Sequence, residues 1–223
     1  MRFLRRVVAE VTLLAPRLTR TRCGTSLLLL VLTLLWLRSR GLDPLTAVLQ
    51  AGALGAVIGA AWVAGSARDR AALATALTHP TTPLAIATGR WVAIVIPAAL
   101  LAAVCALATH TGVATAAAGI VTATAVAAFA LAIVLLLGHG GAVTLFLFMA
   151  IAGSIAPERL VGLAHPGVVR VAAASALELG PALWHYRDIG NGDVLALLHA
   201  LAWSGLGVLL ASALVARQRV AHG

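Results

Sequence analysis

Six stretches of the chain are apolar and free of charged residues: 23–37, 44–65, 91–109, 113–137, 142–156 and 194–216. Each approaches the roughly 20 residues that a helix needs to cross the hydrocarbon layer of a bilayer. One Arg or Asp at the centre of such a helix costs about 2.5–3.5 kcal/mol on insertion, so six charge-free runs predict six transmembrane helices. The first and fifth are short and must cross with little tilt or with help from flanking residues. Ahead of them, Phe3, Leu4, Val7, Val8, Val11 and Leu14 recur at helical spacing, with Arg2, Arg5, Arg6 and Glu10 on the other side. This pattern predicts an amphipathic helix lying in the headgroup plane, from which Pro16 turns the chain towards the first crossing.

The fold class expected is therefore an all-α integral membrane protein: an N-terminal interfacial segment 1–22, a six-span domain 23–216 and a tail 217–223. Three links, 38–43, 110–112 and 138–141, have the length of tight hairpins between antiparallel neighbours. Two others are too long to be turns, 66–90 and 157–193.

Composition agrees. Of the 223 residues 61% are hydrophobic and 10% charged, with a mean hydropathy of +1.03, against about 25% charged residues in a soluble domain. A formal charge of +9 would suggest nucleic acid in a soluble protein, but all 16 basic residues are Arg, and six of them precede the first apolar run. That placement suits anionic headgroups and argues against a nucleic-acid partner. With a cytoplasmic amino terminus and six crossings, the inner segments hold Arg2, Arg5, Arg6, Arg17, Arg20, Arg22, Arg68, Arg70, Arg90, Arg217 and Arg219. The outer ones hold Arg38, Arg40, Arg159, Arg170 and Arg187, so the positive-inside rule predicts both termini in the cytoplasm. The basic stretch is long and no A-x-A site follows promptly, so the first span is expected to stay in the mature chain. Cys23 and Cys105 read as small packing residues rather than a disulfide framework.

The link 66–90 contains Asp69-Arg70, Leu77, Pro80, Pro83 and Gly89-Arg90. A short helix over 70–78, ended by Pro80 and Pro83, would form a rigid knob able to sit on a cytoplasmic partner. The stretch resembles ABC-2 type permeases, in which an acidic-basic pair after the second span is followed by a short helix, a Leu-x-x-Pro-x-x-Pro run and a Gly-Arg entering the third span. Ala71 and Ala72 stand where many members carry a Gly. The layout of an amphipathic amino-terminal helix, six spans and a long outer segment before the last one also resembles that family.

The resemblance implies the membrane-spanning subunit of an exporter of the cytoplasmic (inner) membrane. It implies two partners besides lipid: a separate ABC ATPase subunit and a second permease subunit, identical or paralogous. The residues expected to couple to the ATPase are Arg68, Asp69, Arg70, Leu73, Leu77, Pro80, Pro83 and Arg90. The outer segment 157–193 is expected to dip back towards the membrane. There Trp184, His185 and Tyr186 read either as an aromatic anchor at the headgroups or as a gate for an amphipathic substrate leaving the pathway.

Catalytic readings find little. A phosphate-cradling Walker A loop needs a lysine, and the chain has none. ATP and Mg are therefore expected on the partner, with no cofactor, metal or catalytic residue on this chain. The seven histidines show no His-Glu-x-x-His spacing; His199, inside a span, is the one with a functional reading. Gly153-Ser154 does not match the Gly-x-Ser expected of an intramembrane serine protease. Gly52, Gly55 and Gly59 allow close helix approach, inside the bundle or at a dimer seam. Gly138-His-Gly-Gly141 is reminiscent of haem exporter B permeases, one alternative; a non-transporting scaffold subunit is the other. A pathway without a ring of charges suits a hydrophobic or amphipathic substrate.

Overall fold

A computed structural model describes residues 2–20, 22–66, 82–151, 180–181 and 183–220. The described residues are helical throughout their regular structure, in the order α1 (Arg2–Arg20), α2 (Arg22–Ser39), α3 (Pro44–Ala64), α4 (Pro83–Ala108), α5 (Val113–Ile151), a 3-10 helix (His185–Asn191) and α6 (Val194–Val220). Among the described residues five helices, α2 to α6, are long and apolar enough to cross a membrane. The described residues are thus all-helical in their regular structure and compatible with a multi-pass membrane protein.

The longest helix is not straight. Gly138 breaks α5 with φ 65° and ψ −148°, a region essentially confined to glycine. The chain folds back there: a Cβ on Gly141 would lie 3.1 Å from the carbonyl oxygen of Ile133, eight residues earlier. Both arms then pass the same part of α3. A Cβ on Gly52 would meet the Gly119 carbonyl at 2.5 Å, and the Gln50 amide donates to the carbonyl of Ala150 at 3.3 Å. The second arm, 139–151, is about 19 Å long at 1.5 Å per residue, short of the roughly 30 Å hydrocarbon thickness. The run 142–156 expected as a fifth crossing is described only to Ile151, and the tight link expected over 138–141 reduces to the single residue Gly138.

Packing is organised around α3, whose Ala and Gly residues are almost all buried. Small side chains let helix axes approach closely where no hydrophobic force between helices exists. Gly55 faces Leu101 at 3.3 Å and Gly59 faces Ile94 at 3.1 Å from their would-be Cβ positions, so this glycine row is an internal seam with α4. Large side chains point outwards instead: Leu28, Leu29, Leu32 and Trp36 of α2 and Leu198, Leu201 and Leu209 of α6 are exposed. An apolar exterior of this extent suits lipid and is rare on a soluble monomer. Buried hydroxyls bond to their own helix, Thr122 to Ala118 and Ser204 to Ala200 at 2.8 Å each, as a water-free surrounding demands. Cys23 and Cys105 are free and buried.

Two sequence expectations about boundaries are corrected. Pro16 does not turn the chain; it lies inside α1, which continues to Arg20. The helix that carries the run 91–109 begins before it, because α4 starts at Pro83, with Thr82 at the N-cap and proline in the first helical position, where its missing N–H costs no bond.

Candidate functional site

Among the residues expected to couple to an ATPase, Arg68, Asp69, Arg70, Leu73, Leu77 and Pro80 lie outside the described residues, as does the helix expected over 70–78. Pro83 opens α4. Arg90 is not at a loop end: it sits two turns into α4 and is 5% exposed. Its Nη1 donates to the carbonyl of Val63 in the last turn of α3 at 3.3 Å, where helical carbonyls lack intrahelical partners. Its Nε lies 3.8 Å from Glu10 Oε2 of α1, an ion pair too long to be a hydrogen bond. One guanidinium thereby ties three helices. Gly89 makes room for Glu10 and α1, since a Cβ there would lie 2.6 Å from the Glu10 Cβ. Burial pushes the Glu10 carboxyl above the ordinary glutamate value, and the Arg90 charge offsets this only in part.

The opposite end of the bundle carries Asp43, the 3-10 helix and the start of α6. Asp43 accepts from the Thr46 amide at 3.0 Å, capping α3, and the Arg187 guanidinium donates to its Oδ2 at 2.7 Å. Burial opposes ionisation of Asp43, but the Thr46 hydrogen bonds and the Arg187 charge outweigh it, so the carboxyl titrates below its ordinary value. Asp193 caps α6 through the amides of Leu195 and Ala196. Gly192 supplies the left-handed residue, φ 85°, that ends the 3-10 helix.

Trp184, His185 and Tyr186, expected as an anchor or gate, come together with α6 in one aromatic cluster. Trp184 stacks on His185 with ring centres 3.6 Å apart, and His199 lies 4.9 Å from His185 and 5.7 Å from Tyr186. The Trp203 indole donates to His199 Nε2 at 3.0 Å. Nε2 is thus the acceptor of that bond. Tyr186 is fully buried, and its hydroxyl has no hydrogen-bond partner among the described residues; burial pushes its phenol up. A void of about 10 Å³ beside the cluster, lined by Thr46, Leu49, Leu183, Trp184 and Arg187, is about the size of one water.

No group of three or more His, Cys, Asp or Glu suited to a metal exists among the described residues. Charge is divided unequally between the two ends. Among the described residues, Arg5, Arg6, Arg22, Arg90 and Arg217 lie in the helix segments towards the end that carries Glu10, whereas Arg38, Arg40 and Arg187 are matched by Asp43, Asp188 and Asp193 at the other. Sequence reasoning missed Glu10 and Asp43 as partners of these arginines. Asp43-Pro44 does carry the signature of a helix start, whereas nothing local pairs residues 43 and 187. Comparison with known protein families, with curated proteins and with solved structures finds no match to the chain.

Proposed function

We propose that this chain is the membrane-spanning permease subunit of an ABC-2 type exporter, moving a hydrophobic or amphipathic substrate with ATP hydrolysed on a separate chain. The observation that carries the reading is the stretch joining α3 to α4, with Asp69-Arg70, Leu77, Pro80, Pro83 and Gly89-Arg90 in the family's order. That stretch leaves α3 at Gly65 and enters α4 at Pro83, at the arginine-rich end where Arg90 ties α1, α3 and α4 together. A push delivered to the segment 66–82 would therefore reach three helices at once, which is what a power-coupling element requires.

On this reading α1 lies at the cytoplasmic surface, and the returning arm of α5 with its continuation makes a sixth crossing. Both termini then face the cytoplasm, in keeping with the unequal arginine distribution. Two permease subunits form the pathway, and nucleotide-driven closure of two ATPase subunits switches it between inward-facing and outward-facing states. The cluster of Trp184, His185 and Tyr186 then lies at the outward end, the position of an exit gate.

Purification under gentle solubilisation tests the reading. A stoichiometric ATPase subunit should copurify, and exchanging Asp69 and Arg70 for Ala, or placing Pro at Leu73, should uncouple its hydrolysis from substrate. An intact complex whose ATPase ignores all of these changes sinks the proposal.

A further inference from the structure

Between α3 and the returning arm of α5 lies a groove of about 220 Å³, lined by Val57, Ile58, Ala61, His139, Ala142, Val143, Phe146 and Leu147, with a wholly apolar lining surface. It exceeds the roughly 150 Å³ of an apolar cavity that stays dry and takes up benzene. It falls short of the roughly 300–1,000 Å³ of pockets for drug-sized ligands, so it fits one chain rather than a bulky body. The groove opens sideways: Val143 and Leu147 on its rim are 60% and 54% exposed, on an exterior that otherwise presents leucines to lipid.

His139 closes one end of the groove, and its ring is held in place. His139 follows the break at Gly138 and lays its ring over Gly65, where a Cβ would lie 2.9 Å from its Cε1 and 3.0 Å from its Nδ1. Only a residue without a side chain leaves that space. The ring thus sits at the C-terminus of α3, within a turn of the Val63 carbonyl that Arg90 engages, at the end of the bundle where, among the described residues, arginines outnumber acids.

Lipid tails are as apolar as the lining, so a chain gains little by leaving the bilayer for the groove. Retention must come from packing and from the headgroup, and the headgroup meets an imidazole in a positively charged neighbourhood. We propose that the groove binds one alkyl chain of an anionic membrane amphiphile whose headgroup rests against His139. The inference needs only the membrane-embedded fold and goes beyond the exporter reading.

Photo-crosslinking of the full-length protein in nanodiscs tests it, using phosphatidylglycerol and phosphatidylcholine that carry the same diazirine-labelled acyl chain. Label is expected in 57–61 and 142–147, more from phosphatidylglycerol than from phosphatidylcholine. His139→Ala should abolish the difference between the two lipids, and Val143→Trp should remove the label from both. Leu147→Trp reads the same space should Val143→Trp fail to fold. Label that ignores both tryptophans, or the headgroup, overturns the proposal. In membranes that also hold the ATPase, label that falls on adding ATP marks the amphiphile as cargo, and unchanged label marks it as a resident lipid. Absence of a copurifying ATPase would sink the exporter reading and leave the crosslinking result standing.

Discussion

Arg187 and Asp43, 144 residues apart, meet at 2.7 Å, and the same carboxylate caps α3 through Thr46. Asp43 therefore does two jobs, and its replacements separate them. Asp43→Ala removes both the cap and the bridge, with the cap alone costing about 1 kcal/mol. Arg187→Ala keeps the cap and removes the bridge together with the Arg187 bond to Thr46 Oγ1; the bridge is half-exposed, and the change should cost less than about 1 kcal/mol. Thermal unfolding in detergent should rank the two variants in that order.

The same carboxyl gives a pH dependence. Its value is lowered in the folded state, so its stabilising contribution is complete above the ordinary carboxylate range. The contribution is lost as pH falls through the lowered value. The difference in melting temperature between wild type and Asp43→Asn should shrink on acidification; a difference that grows would contradict the assignment.

Glu10 behaves in the opposite sense. Its value is raised, so the folded state holds that proton more tightly and the ionised carboxylate is a net cost at neutral pH. Glu10→Gln should therefore leave stability unchanged or raise it. Arg90→Ala should cost about 3 kcal/mol, because it strands Glu10 and the Val63 carbonyl. The double variant with Glu10→Ala should be less destabilised than Arg90→Ala alone, as a double-mutant cycle would show.

Two glycines in α6 make a controlled pair. A Cβ on Gly207 would fall 2.5 Å from the backbone carbon of Ala128, whereas one on Gly205 meets nothing within 4 Å among the described residues. Gly207→Ala should destabilise by about 1–3 kcal/mol, since backbone cannot swing aside. Gly205→Ala should be neutral. Equal melting temperatures for the two variants would refute this packing of α6 on α5.

Tyr186→Phe tests the aromatic cluster. The hydroxyl has no partner among the described residues, so its removal should leave stability unchanged or slightly improved. A loss above about 1 kcal/mol would reveal a hydrogen bond made outside them. His199→Leu should instead lose about 1–3 kcal/mol by stranding the Trp203 indole N–H.

What could be read from the sequence follows the cost of charge in lipid. The cores of α2, α3, α4 and α6 and the first arm of α5 announce themselves because no charge interrupts them. The start of α4 escaped that logic: Arg90 looked like the end of a loop, but its charge is offset inside the bundle by Glu10, 80 residues upstream. Thr82-Pro83 was the local signal that marked the true start. Pro16 misled because proline is tolerated in the helix interior of α1. Gly52, Gly55 and Gly59 did signal close approach, yet only neighbours fix which helix approaches, and those are Gly119, Leu101 and Ile94. The pairing of Arg187 with Asp43 and the placing of His139 over Gly65 depend on the fold-back of the chain. No short-range pattern encodes them.

Because a single glycine makes the turn in α5, the two arms are locked in rotational phase. Each residue of an α-helix turns the next by about 100°. Inserting one Ala after Gly138 would swing the face that carries Val143 and Leu147 away from α3 and bring another row of side chains round in its place. Inserting four would rotate the arm by about 400°, restoring the face with only a small angular offset and a shift of about 6 Å along the axis. The fold of this region is thus set less by which residues follow Gly138 than by how many.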